Sequence, residues 1–347
     1  MTLPRTVQPG LVSTIIPVLD RPVLVVDAVA SVIAQTHRPI EVIVVDDGST
    51  DETPRVLEGL AARHPAEIRV LHQPHAGVGL AREAGRRQAA GEFIQYLDSD
   101  DVLDARKFER QVAGLRAHPD CGISYGKTRY YRLGSPPRDA VWGRTDQTID
   151  RLFPSFLEGR WWQTATPLYR RTVSDRAGAW SSLAYAEDYE YECRIARQGT
   201  RLHFCDAFVA DYRLHSSTRL SREVELRPEL IRDRARAYLL AFEHGRAAGF
   251  DDVRPDPSFS LRLFRTACQC HALGDDESGR ALLTLLGGRA DGVSAARIGL
   301  HRLFSLALGP GRASALWLRT ADAMQRLGRR SALRRRRRRH PDPAWKT

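Results

Sequence analysis

Phe93-Ile94-Gln95-Tyr96-Leu97-Asp98-Ser99-Asp100-Asp101 carries a mostly apolar run straight into four residues, three of them acidic. A short run of this kind reads as a strand buried on both faces, with the acids at its carboxyl end. The same pattern recurs upstream. Val42-Ile43-Val44-Val45 closes on Asp46-Asp47-Gly48-Ser49-Thr50, where Ser or Thr can cap a following helix, and the apolar run from Val12 to Val18 contains Pro17. Ile68 to Leu71 supplies a further strand. Between the strands, Val25, Val29, Val32 and Ile33 give the segment 23–35 helical spacing, and 78–90 is helical in the same way. Strands alternating with amphipathic helices predict an α/β fold with a mostly parallel sheet, whose ligands bind at the carboxyl ends of the strands.

Further along, residues 121–212 are less regular and rich in aromatics (Tyr130, Tyr131, Trp142, Phe153, Phe156, Trp161, Trp162), which predicts loops and short strands on an acceptor side. From about Glu223 helical periodicity returns through Leu226, Leu230, Ile231, Tyr238, Leu239 and Phe242. The expected organisation is a catalytic domain over 1–222 with a nucleotide-binding half (11–120) and an acceptor half (121–222). A helical region over 223–328 and an Arg-rich disordered segment over 329–347 follow.

The 347 residues carry 53 basic and 42 acidic side chains, a net +11, yet segment 329–347 alone holds eight Arg and one Lys against one Asp. The remainder is nearly neutral, so the charge does not describe a nucleic-acid-binding face. Cys121, Cys193, Cys205, Cys268 and Cys270 lack the paired spacing of a zinc site or disulfide scaffold. No stretch reads as a secretory signal or reaches the length of about 18 apolar residues needed to span a bilayer. These features suit a cytoplasmic protein that meets a membrane, if at all, from the inner side through the Arg-rich segment.

Taken in order, several motifs resemble the family 2 glycosyltransferases. They are Ser13-Thr14-Ile15-Ile16-Pro17, Ala30-Ser31-Val32 to Gln35-Thr36, Ile43 through Asp51, Gly77-Val78-Gly79 with Ala81-Arg82, Gly91-Glu92-Phe93 and Leu97 through Asp101. The resemblance is strong over residues 11–120 and looser to about 215. It implies a GT-A-like, Rossmann-related α/β domain and an inverting, metal-dependent transfer from a nucleotide diphosphate sugar, most simply a uridine diphosphate sugar. The acceptor would be a hydroxyl of a glycan or lipid-linked precursor, in polysaccharide, glycolipid or other glycoconjugate synthesis.

The residue types fit such chemistry. A departing diphosphate needs a divalent cation and fixed positive groups, and Mn²⁺ or Mg²⁺ prefers carboxylate oxygens. Alternation along an extended Asp98-Ser99-Asp100 puts two carboxylates on one side. By resemblance, Asp100 is the principal metal ligand, Asp98 addresses the donor ribose or metal shell, and Asp47 accepts the uracil N3 proton. Pro17 and Asp20 flank the base, Arg82 approaches the diphosphate, and His215, in Tyr212-Arg213-Leu214-His215, completes the metal or diphosphate site. Glu187-Asp188 resembles the family's Glu-Asp pair that opens a helix. A carboxylate there is oriented by backbone N–H groups, which makes Asp188 the candidate general base.

Two positions depart from the family pattern. Leu19-Asp20 stands where many relatives have Tyr-Asn, and Glu83 where they have Asn, which sets an acid beside Arg82. The Trp161-Trp162 pair suits either sugar stacking or core packing. Two other classes fit poorly. A Mg²⁺-binding phospho-acceptor receiver places its acidic pair after the first strand rather than the second, and a dinucleotide fingerprint would need glycine at Arg82. A non-catalytic nucleotide-sugar-binding module of the same fold is the alternative that sequence leaves standing.

Overall fold

The apolar run at 11–18 becomes the middle of the parallel part of a sheet. β1 (Gln8–Val18) pairs in parallel with β2 (Ile40–Asp46) on one side and β4 (Gly91–Tyr96) on the other, and β2 pairs in parallel with β3 (Ile68–His72). Each connection is a helix: α1 (Leu24–Ile33), α2 (Thr53–Arg63) and α3 (Val78–Gln88). The α1 helix buries Leu24, Val25, Ala28, Val29 and Val32, one stripe at helical spacing, in the core with Val12, Ile16, Val42, Val44 and Phe93. Each fully buried Val or Leu there is worth about 1.5–3 kcal/mol. The α3 helix instead sits close to β1: a side chain on Gly85 would come within 2.5 Å of Ile15 Cγ2.

The computed structural model describes residues 6–135, 140–215, 224–225, 227–289 and 292–319. Within them the sheet continues past β4 through β7 (Leu168–Arg170), β6 (Cys121–Arg132), β8 (Arg201–Leu214) and β5 (Val102–Leu103), in the order β3-β2-β1-β4-β7-β6-β8-β5. The second half is mixed, because β7 is antiparallel to both β4 and β6, β5 is antiparallel to β8, and β6 runs parallel to β8. Here the structure corrects the expectation of short strands over 121–212. β6 has 12 residues and β8 has 14, paired from Cys121↔Arg201 to Arg132↔Leu214. Their ladder shifts register around Gly126 and Lys127, which breaks the period-two pattern that would have disclosed long strands. Helices α4 (Lys107–Ala117), α5 (Ser155–Glu158), α6 (Arg171–Ala177) and α7 (Glu187–Arg197) complete this half. Trp162 is fully buried and Trp161 nearly so, with the Trp162 indole N–H donating to Glu192 at 2.7 Å, so the pair is core.

The chain divides into two compact units, Met1–Asp233 with Ala237–Val253, and Arg234–Arg236 with Arg254–Thr347. The helix α8 (Pro228–Ala247) lies mostly in the first unit, where Tyr238 packs edge-on to Tyr189 and Gly245 leaves room for Leu157. The second unit holds α9 (Pro257–Ala272), α10 (Asp276–Gly287), α11 (Gly292–Leu308) and α12 (310–319). Asp256 caps α9 through the Phe259 N–H and Asp275 caps α10 through the Ser278 N–H. Phe259, Leu263, Phe264, Cys268, Cys270, Leu282 and Leu286 are buried, so the Cys-x-Cys pair serves packing. Among the described residues no helix is long and apolar enough to cross a membrane. Segment 329–347, read from sequence as disordered and membrane-facing, lies outside the described residues.

Candidate active site

Beyond Tyr96 the chain leaves β4 and turns, with the Asp101 N–H donating to the Asp98 carbonyl at 3.1 Å. Carboxylate oxygens of Asp98, Asp100 and Asp101 then lie within 4.8 Å of one another. The acids converge because the segment turns, not because an extended strand alternates, and the turn adds Asp101 to the pair expected from sequence.

Basic side chains from the ends of β1 and β8 surround the cluster. Arg21, just after β1, reaches Asp100 Oδ2 at 2.9 Å, and His215 Nε2 reaches the same oxygen at 2.8 Å. Arg213, on β8, donates through Nε to the Asp100 carbonyl at 2.8 Å and through its backbone N–H to Asp101 Oδ1 at 3.1 Å, while its guanidinium pairs with Asp27 on α1 at 2.6 Å. The turn is thereby fastened to both halves of the sheet. Buried carboxylates require such compensation.

Arg82, on the first turns of α3 and almost fully buried, bridges Asp98 at 2.6 Å and Glu187 at the start of α7. Gly79 permits this approach, since a Cβ there would stand 2.3 Å from the Ser181 carbonyl oxygen. Asp188 is also buried. Its Oδ2 accepts from Arg160 and from the Thr164 hydroxyl at 3.1 Å, and its Oδ1 from the Tyr189 N–H at 2.7 Å. The acid at Glu83 points away from this bridge, accepting from Arg86 and Arg87 at 2.8 Å, so the departure at that position leaves Arg82 facing Asp98.

Of the residues that the resemblance assigns to the base and its loops, Asp20 and Asp47 lie just after β1 and β2, and Pro17 lies within β1. Asp47 is buried, and its two carboxylate oxygens accept from Gln73 Nε2 (2.7 Å), His75 Nδ1 (2.8 Å) and the N–H groups of Ala76 and Gly77 (2.9 Å each). It therefore organises the loop that leads into α3. Asp20 is exposed at φ 49°, donates from its N–H to Ser49 Oγ at 3.0 Å and accepts from the Thr50 N–H at 2.8 Å. Ser49 thus ties two loops together, and the entry of α2 is supported instead by Asp51, whose carboxylate accepts from the Thr53 N–H at 2.8 Å. Pro17 is buried within β1 opposite Val45. Because Asp20 and Arg21 are consecutive, the loops after β1 and β2 and the acidic turn are joined through one stretch of backbone.

The neighbours Glu187 and Asp188 titrate apart. Burial pushes Glu187 up to about 7, opposed by Arg82. Burial acts upward on Asp188 too, but Arg160, Arg82 and the Tyr189 N–H outweigh it and hold that carboxyl below its ordinary value. A carboxyl raised on folding favours the native state below its unfolded value and loses that contribution as pH climbs through the folded one. From an ordinary 4.5 to about 7, Glu187 should therefore cost stability as pH rises. Glu187→Gln should flatten this part of the stability-pH profile, and an unchanged slope would exclude Glu187 as the titrating group.

Arg21 and Arg160 were not singled out from sequence, and Asp101 and Arg213 were quoted only within motifs, with no role of their own. Arg21 adjoins the site residue Asp20 and could have been found by adjacency, whereas Arg160 lies in an irregular segment with no pattern to mark it.

A profile of the family described as Glycosyl transferase family 2 matches residues 13–172. Over 223 residues, 61% of this chain and 67% of the relative, the sequence is 36% identical to an uncharacterized glycosyltransferase of Rickettsia prowazekii. It is 27% identical over 250 residues to the uncharacterized glycosyltransferase EpsJ of Bacillus subtilis, covering 69% of this chain and 72% of that protein. A 39% identical match to an uncharacterized glycosyltransferase of Nostoc spans 98 residues, only 30% of that protein's length. Among solved structures, residues 1–349 of S. aureus TarS, in complex with UDP-GlcNAc, superpose with a TM-score of 0.57 at 18% identity, covering 91% of this chain and 92% of that one. At that identity the likeness is one of fold.

Proposed function

The chain belongs to glycosyl transferase family 2, and on that premise we propose that it moves a sugar from a nucleotide diphosphate donor to an acceptor hydroxyl, with inversion at the anomeric carbon. The donor we assign is a uridine diphosphate sugar, and the acceptor a glycan or lipid-linked glycoconjugate. What supports the reading is the meeting, beyond the carboxyl end of β4, of three carboxylates with Arg21 from the end of β1 and with Arg82, which in turn holds Glu187, the neighbour of Asp188. Strand ends are where this class of sheet binds ligands.

Three carboxylate oxygens within 4.8 Å offer hard donors suited to a divalent ion. Asp98, Asp100 and Asp101, with His215, would hold Mn²⁺ or Mg²⁺, which supplies positive charge to the leaving diphosphate. Arg82 keeps a fixed guanidinium beside Asp98, on the diphosphate side. Asp188, ionised at neutral pH, takes the acceptor proton as the acceptor oxygen bonds to the anomeric carbon and the bond from that carbon to the diphosphate oxygen breaks. Asp47 and Asp20 order the loops against which the base lies, next to Pro17.

Release of uridine diphosphate, measured across a set of uridine diphosphate sugars with Mn²⁺ or Mg²⁺ present or chelated, tests the reading. Metal-dependent release is expected with at least one donor. Binding without release, for every donor and metal, would instead favour a non-catalytic nucleotide-sugar-binding module.

A further inference from the structure

The helix α11 is apolar on two faces. Ile298 and His301 are buried, while Leu300, Leu303, Phe304, Leu306 and Leu308 stand 43–87% exposed. At about 100° per residue, Leu300, Leu303 and Phe304 share one side, with Leu306 and Leu308 at its flanks. Leu316, on α12, adds another half-exposed side chain. Monomeric proteins seldom leave large apolar side chains clustered in water, and a helix apolar all round has a partner for each side.

The charge of the sequence identifies that partner. Residues 292–347 contain thirteen Arg and one Lys against two Asp, a net +12, so the preceding 291 residues sum to −1. No acid occurs between Gly292 and Arg319, where Arg297, Arg302, Arg312 and Arg319 accompany the leucines. We propose that the outward face of α11 lies flat in the interface of an anionic phospholipid bilayer. Its leucines and Phe304 enter the acyl boundary, and the positive charge of Arg297, Arg312 and Arg319 draws in the headgroups. A second copy fits less well, because a two-fold contact would bring two +12 segments together. A nucleic acid would satisfy the charge but offers nothing to five large apolar side chains. The proposal rests on the second unit and is independent of the donor and mechanism assigned above.

Vesicle flotation of the full chain tests it, using phosphatidylcholine alone or with about 30% phosphatidylglycerol. Binding to the anionic vesicles is expected, weakening as salt is raised. The double variant Leu303→Glu, Leu306→Glu should bind at least about 10-fold more weakly, and Leu303→Ser should move in the same direction, with circular dichroism and melting temperature matching wild type. Failure of the wild-type chain to bind anionic vesicles would overturn the proposal. So would equal binding by both leucine variants, self-association in sedimentation that these variants abolish, or binding only to a mixed-sequence RNA.

Discussion

Asp188→Asn should leave donor binding close to wild type while turnover falls by about 10²–10⁴-fold, the usual contribution of a positioned general base. Asparagine keeps the shape of the side chain and one oxygen to accept from the Tyr189 N–H, but its amide nitrogen replaces the oxygen that accepts from Arg160 and Thr164, and it cannot accept the acceptor's proton. It also removes the charge opposite the half-buried Arg160, which would keep its bond to the Trp162 carbonyl but lose its ion pair, at some cost in stability. The melting temperature and donor calorimetry of the variant must therefore accompany its kinetics. Wild-type turnover would remove Asp188 from the mechanism, and loss of both folding and donor binding would make it a structural partner of Arg160. Glu187→Gln is the companion measurement. Its carboxyl, pushed up to about 7, is better matched to proton transfer near neutrality than that of Asp188, but it is pinned to Arg82. A collapse confined to Glu187→Gln would transfer the role of base to that residue.

Asp100→Ala should abolish the metal dependence of donor binding and lower turnover by on the order of 10³-fold or more, as expected when a metal that neutralises a leaving diphosphate loses its central ligand. Asp100 is the residue on which Arg21 and His215 both converge, so truncation leaves two side chains without their shared oxygen. Isothermal titration of a uridine diphosphate sugar with and without Mn²⁺ separates the possible outcomes. A titration like that of wild type would place the cation elsewhere or remove it from the reaction. Loss of donor binding even in the absence of metal would mean that Asp100 chiefly holds Arg21 and His215 in place.

These expectations draw unequally on sequence and structure. The parallel strands and their helices were legible because each carries its own local pattern. Val42 to Val45 is a continuous apolar run, and α1 repeats its buried residues at helical spacing. Residues 121–214 hid two long strands because β6 and β8 interrupt alternation where their ladder shifts register, and because their pairing joins residues some 80 positions apart.

The site divides in the same way. Asp98, Asp100, Asp47 and the Glu187-Asp188 pair were readable as residue types, since acids at strand ends and helix starts are local features of the chain. Their partners were not. That Arg82 faces Asp98 and Glu187 rather than Glu83, that Asp47 spends its oxygens on the 73–77 loop, and that Arg160 rather than the helix terminus alone holds Asp188 ionised are all decided by contacts between distant segments. By itself the sequence determined an α/β chain with acids at the carboxyl ends of its strands, because strand, helix and turn preferences are written within a few neighbouring residues. Which of those acids are paired, buried or shifted in pKa was decided only by the tertiary structure, because burial and Coulomb interaction depend on separation in space, which neighbours along the chain do not set.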